Sequence, residues 1–152
     1  MKILKKTVLI LSIGIFLLSL TQIAYCTTNL CRSSLDSLVL GFFGVFYDIT
    51  AITWLANPIL FISWMFFIRK PKLSLILSSL AVIISLGFLF FSKVVDNEAG
   101  HLNLIISHKL GYWLWVYSSL IMLIGNAISY INKSISHSEI SNAHAGANML
   151  RG

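Results

Sequence analysis

Charged side chains leave four long gaps in this chain, and those gaps constrain its fold more than any other feature. Residues 7–25, TVLILSIGIFLLSLTQIAY, run for 19 positions without a charge. At a rise of about 1.5 Å per residue, such a stretch approaches the roughly 30 Å hydrocarbon core of a bilayer. Residues 50–68, 73–92 and 111–131 repeat the pattern. A soluble domain needs about 25% charged residues to clothe its surface. This chain has 11%, with 57% hydrophobic residues and a mean hydropathy of +0.87. An ordinary soluble enzyme is thereby excluded, and the apolar surface must face lipid. The expectation is an all-α four-helix transmembrane bundle over residues 1–131.

Each span has a particular reading. Lys2, Lys5 and Lys6 precede the first, which suits a secretory signal peptide as well as a retained anchor. Ala24-Tyr25-Cys26 lacks the small residues that a cleavage site wants, so a retained anchor is expected. The apolar region from Ser37 to Ile68 is too long for one straight span. Span two is placed at 50–68, kinked near Asn57-Pro58, because proline disfavours helix before it and removes a backbone donor. Residues 37–47, SLVLGFFGVFY, become a short interfacial or re-entrant helix. Residues 132–152, rich in Ser, Asn, Ala and Gly, read as a disordered cytoplasmic tail.

Orientation follows from the basic residues near span ends. With the N-terminus in the cytoplasm, Lys2, Lys5, Lys6, Arg69, Lys70, Lys72, Lys133 and Arg151 lie inside. Only Arg32, Lys93 and Lys109 lie outside. The expected location is a bacterial inner (cytoplasmic) membrane, multi-pass, with both termini in the cytoplasm and membrane lipid as the surroundings. The net charge of +6 is split between membrane edges. It therefore forms no continuous basic face for nucleic acid. Trp54, Tyr112, Trp113, Trp115 and Tyr117 crowd the outer span ends, where aromatic anchors belong.

Small residues recur along three spans: Ser12, Ile15, Ser19, Gln22 and Cys26; Ser74, Ser78, Ala81, Ser85 and Ser92; Gly111, Trp115, Ser118, Met122, Gly125 and Ser129. Helices approach closely in lipid through such stripes, which are read as the inward seam of the bundle. Asn57 and Asn126 are expected to hydrogen-bond between helices, with Pro58, Ser118 and Gly125 shaping kink and packing.

Few residues suggest chemistry. Cys26 and Cys31 fall together on the oxidising outer side and are expected to form a structural disulfide; a thiol–disulfide redox pair is the alternative. Four-span quinone-linked disulfide oxidases share this size and topology. They need a second cysteine pair in the second outer loop, and KVVDNEAGHLNLIISHKL has none. Asp48 is costly if membrane-buried, which would mark an ion or proton site, but it is placed more simply at the wet interface. Asp96, Glu98, His101 and His108 share a loop without metal-ligand spacing, and His137 and His144 are equally unspecific. No phosphate-binding loop, dinucleotide fingerprint, nucleophile elbow or zinc-helix motif occurs. No metal, cofactor or catalytic residue is expected.

Tyr25-Cys26-Thr27 with Cys31, Trp54-Leu55-Ala56-Asn57-Pro58 with Ser63-Trp64, Glu98-Ala99-Gly100, and Leu110-Gly111-Tyr112-Trp113-Leu114-Trp115 with Gly125-Asn126 form a string of local patterns. Over residues 1–130 this string resembles a group of small four-span bacterial membrane proteins with no known activity. The resemblance implies topology and bacterial origin, not function. The functional expectation is a non-catalytic protein acting through contacts with another membrane or envelope protein, as an accessory subunit or an immunity-type protector. A small-solute or ion transporter using Asp48 and the Pro58 kink is the alternative. Segments 37–47 and 101–106 are more apolar than solvated connectors need to be. The outer surface, with Phe42, Phe46, Trp113 and Trp115 as contact candidates, is therefore expected to be the working part.

Overall fold

A computed structural model of the chain describes residues 2–45, 49–95 and 101–149. Helix α1 spans Lys2–Leu20, followed by strands β1 (Ile23–Thr27) and β2 (Cys31–Ser33) and helix α2 (Ser34–Gly44). A 3-10 segment, Ile49–Leu55, leads into α3 (Ala56–Phe66). Helix α4 (Pro71–Gly87) ends in a 3-10 turn at Phe88–Phe90. Strands β3 (Lys93–Val95) and β4 (Leu102–His108) precede α5 (Leu110–Met149). Four stretches, Ile3–Leu20, Ile49–Phe66, Pro71–Phe90 and Leu110–Asn132, are long and apolar enough to cross a membrane.

The all-α expectation is corrected by a four-stranded antiparallel sheet of order β2-β1-β4-β3. Its first half comes from the connection after α1 and its second from the connection after α4. The β1–β4 pairing, Cys26 opposite Ser107, fuses two connectors that the sequence leaves separate. Span one accordingly stops at Leu20 rather than at residue 25. There the Ser19 and Thr21 hydroxyls donate to the Phe16 and Leu18 carbonyls, at 2.6 and 2.8 Å. The backbone tightens through Thr21 N to Leu18 O and Gln22 N to Ser19 O. These three-residue bonds close the last turn and release β-favouring Ile23–Thr27 into a strand.

The second span also differs in detail. Pro58 falls in the first turn of α3, where its missing N–H breaks no helical bond. The irregularity lies just before it, at the junction of the 3-10 segment with α3. Residues 34–44 do form a helix, started by Ser33, whose side chain accepts from Asp36 N at 3.0 Å. Asp36 in that first turn complements the positive helix end. Where the sequence places a tail after residue 131, α5 continues as helical backbone to Met149; no proline interrupts residues 132–149.

The seam of small residues is buried as the stripes imply. Ser12, Ser74, Ser78, Ala81, Ser85, Ser118 and Met122 are fully enclosed. Ser12 Oγ donates to Ser118 O at 2.9 Å and Ser118 Oγ returns a bond to Ser12 O at 3.0 Å, locking α1 to α5. Ser63 and Ser74 exchange the same pair of bonds between α3 and α4, at 3.0 and 2.8 Å. Trp64 Nε1 donates to Ser12 Oγ at 3.0 Å. Gly125 faces Val8 so closely that a β-carbon there would collide with it. Ile15 is only half-buried and Ser92 is exposed, whereas Phe16, one position from Ile15, enters the core.

Candidate functional site

At one end of the bundle the sheet and α2 form a cap over the helix ends. Cys26 and Cys31 face each other across β1 and β2, with Cα atoms 4.0 Å apart, and form a disulfide. The hairpin they clasp continues directly into α2. Trp54 holds α2 from the other side: its Nε1 donates to Leu38 O at 2.6 Å, and its ring fills the space beside Gly41. A β-carbon at Gly41 would strike that ring, so glycine is required for the close approach. Backbone bonds Ser34 N to Gln22 O and Lys109 N to Ala24 O tie the starts of α2 and α5 to the β1 region.

The sheet has two unlike faces. Val94 and Ile105 pack with Ala24, Tyr25, Phe88 and Tyr112 into a core against the bundle. On the opposite face, Leu102, Leu104 and Ile106 stand 59%, 50% and 66% exposed. Alternation along β4 produces this split, because successive side chains point to opposite faces.

Beneath the cap lies a cavity of about 770 Å³. Its walls come from the end of α1 (Phe16, Ser19), from β2 and α2 (Arg32, Ser34, Leu38), and from the 3-10 segment and α3 (Trp54, Asn57), with Phe88, Tyr112 and Trp115 opposite. Arg32 is the only charged side chain in the lining among the described residues. Ser34 Oγ and Trp115 Nε1 are buried without a hydrogen-bond partner among the described residues. Asn57, also buried, makes one hydrogen bond there, from Nδ2 to Trp54 O at 3.0 Å.

His108 closes the sheet beside this cavity, its ring 4.9 Å from that of Tyr112 and 5.5 Å from that of Phe88. Burial lowers its pKa below the ordinary 6.5, because an apolar setting disfavours the charged ring. Its Nε2 finds no partner among the described residues.

The residues singled out by sequence are thus distributed unevenly. Asn126 does bond between helices, its Nδ2 reaching Ser74 O at 3.3 Å and Ser78 Oγ at 3.1 Å. Asn57 does not: it bonds within its own segment and lines the cavity. Phe42 is exposed on α2 and Trp113 on α5, whereas Trp115 turns toward the cavity. Tyr112, expected as an interface anchor, is buried and donates from its hydroxyl to Ser85 O at 3.0 Å. Phe46 and Asp48 lie outside the described residues, as do Asp96 and Glu98. No group of three His, Cys, Asp or Glu side chains among the described residues could hold a metal ion. Ser34 and Arg32 at the cavity were not recognisable as site residues, since the β1–β2 hairpin and the Ser34 N to Gln22 O bond bring them over the bundle end.

Nothing matches this chain in comparisons with protein-family models, curated proteins and solved structures.

Proposed function

We propose that this is a multi-pass protein of the bacterial inner membrane, with both termini in the cytoplasm, acting without catalysis through contacts with another envelope protein. An accessory subunit or an immunity-type protector fits that description. The separation of charge supports the orientation. Lys5 lies 5.8 Å from the Phe67 ring and Lys70 lies 5.6 Å from that of Phe66, grouping the basic N-terminus with the α3–α4 turn at one end. Arg32, Lys93 and Lys109 belong to the capped end. The larger basic group takes the cytoplasmic side under the positive-inside rule, which leaves the cap outside.

One observation carries the interaction reading: the outer face of the sheet, on a strand outside the four candidate spans, is apolar and exposed. Exposed Ile76 and Ile83 on α4 sit in a segment that lipid can surround. Leu102, Leu104 and Ile106 belong to a strand beyond the helix ends. An apolar row there suits a protein partner with an apolar contact face.

A photo-crosslinking amino acid at Ile106, compared with one at Ile83, tests this in intact cells. The Ile106 probe is expected to give one discrete protein adduct that Leu104→Lys abolishes, and the Ile83 probe none. Identical products from both positions, or adducts only with a second copy of this chain, would contradict the reading.

A further inference from the structure

The cavity beneath the cap carries an inference beyond partner contact. Its volume of about 770 Å³ falls within the roughly 300–1,000 Å³ typical of sites for a single small molecule. Charge contributes little to it. Arg32 is the one charged side chain in the lining among the described residues, and it already has an interaction partner. An ion leaving water needs a free counter-charge, so this wall suits an uncharged guest.

Rings dominate the wall instead. Tyr25, Phe88, Tyr112 and Trp115 run in series, with successive ring centroids 5.5, 5.7 and 6.0 Å apart. Phe16 from α1 and Trp54 from the 3-10 segment add two more. Aromatic faces and edges pair best with another flat ring, in offset or edge-on arrangements.

Two donors on one side of the cavity go unused. Ser34 is 8% exposed, and its Oγ has no hydrogen-bond partner among the described residues; the same holds for Trp115 Nε1. Both residues line the cavity. A β-carbon on Gly111 would collide with Ser34 Oγ, which sets that hydroxyl against α5 at position 111. Trp115 follows one turn later, about 6 Å along the helix axis and on the same face. An indole N–H can only donate and a hydroxyl is able to donate, so acceptor oxygens on a guest satisfy both. A buried donor left unpaired carries the full cost of its desolvation.

We propose that the cavity binds an uncharged quinone, a planar ring carrying two opposed carbonyl oxygens. The ring lies against the aromatic series. One carbonyl accepts from Ser34 and the other from Trp115, whose spacing along α5 matches the reach across a six-membered ring. Both donor atoms are closed to solvent as they stand, so each side chain rotates to meet the guest. The remaining room takes an apolar substituent along Leu20 and Leu38. An acyl ester would offer an acceptor as well, but no flat face for the rings.

The experiment is equilibrium dialysis of the full chain in a non-ionic detergent against menadione. Both cysteines are held in the disulfide, so no thiol adds to the probe. Saturable binding at one site is expected. The comparison probe, 2-methylnaphthalene, has the same ring system without the oxygens and is expected to bind about tenfold more weakly, as for two net hydrogen bonds. Ser34→Ala and Trp115→Phe should each reduce that preference about threefold, and the double variant should abolish it. Ser37→Phe, which fills the cavity from α2, should abolish saturable binding of both probes while thermal unfolding shows the bundle intact. Equal affinity for the two probes in the wild type would overturn the proposal, since the carbonyls would then contribute nothing. A preference unchanged in both single variants would overturn it as well. So would uptake that never saturates and is unaffected by Ser37→Phe, which is partition into the micelle.

Discussion

The seam between the helices and the layer beneath the cap both bury polar side chains, and they treat them in opposite ways. In the seam, Ser12 and Ser118 trade hydrogen bonds, as do Ser63 and Ser74, and Asn126 reaches two partners on α4. Beneath the cap, Ser34 Oγ, Trp115 Nε1 and His108 Nε2 are buried without partners among the described residues. Within the hydrocarbon region an unpaired group has no water to turn to, so the seam pairs its groups and holds helices together. The cavity beneath the cap is lined by both kinds: Ser34 Oγ and Trp115 Nε1 are unpaired among the described residues, whereas Ser19, Thr53 and Tyr112 donate to backbone carbonyls. Asn126 Oδ1, the one seam atom left unpaired among the described residues, is the exception. Among the described residues, three of the four buried unpaired side-chain atoms therefore lie at the capped end rather than in the seam.

The contrast breaks most visibly where the seam is tightest. Gly125→Leu would drive a side chain into Val8 at the α1–α5 crossing. Overpacking of this kind typically costs about 1–3 kcal/mol, and the upper end is expected because backbone and Val8 both lie in the way. Thermal unfolding in detergent should show the largest loss of any single substitution considered, and the membrane level of the protein should fall with it.

A smaller loss is expected in the cap from Cys26→Ser with Cys31→Ser. The cross-link closes a short loop, with a sequence separation of 5. Chain-entropy reasoning assigns such a loop about 2 kcal/mol. The double variant and the reduced wild type should unfold at the same lowered temperature. Equal stability with and without reductant would mean that the staple contributes nothing.

His108 sharpens the contrast through pH. Its folded-state pKa lies below the ordinary 6.5 because of burial, so the unfolded chain takes up the proton first. Stability is therefore present above about pH 6.5 and declines as pH drops through the range between the two values. His108→Gln should flatten that decline by a fraction of the disulfide effect. A decline that is identical in the variant would assign it to other groups.

Much of the bundle is legible in the sequence, and for a physical reason. Uncharged runs of membrane length and stripes such as Ser74, Ser78, Ala81 and Ser85 are local signals that a helix in lipid has little freedom to disobey. The sheet was not legible. Ile23–Thr27 continues an apolar run and reads as the end of span one, while β2 and β3, at three residues each, are too short to show alternation. The pairing of Cys26 with Ser107 joins positions far apart in the chain, which no local pattern announces. The cavity draws its walls from the cap as well as from the helices. Arg32 therefore read as a topology charge, and Asn57 as a helix-packing residue.

The division between seam and site is tested most directly by thermal unfolding of Ser12→Ala beside Ser34→Ala. Ser12 Oγ accepts from Trp64 Nε1 and donates to Ser118 O, so its removal deletes two interhelical hydrogen bonds and leaves the Trp64 N–H unpaired. A loss of about 1–2 kcal/mol is expected. Ser34 Oγ has no partner among the described residues, so Ser34→Ala should unfold within about 0.3 kcal/mol of wild type, as expected where no interaction is removed. Equal destabilisation by the two substitutions would contradict the division, because the cap hydroxyl would then be as structural as the seam.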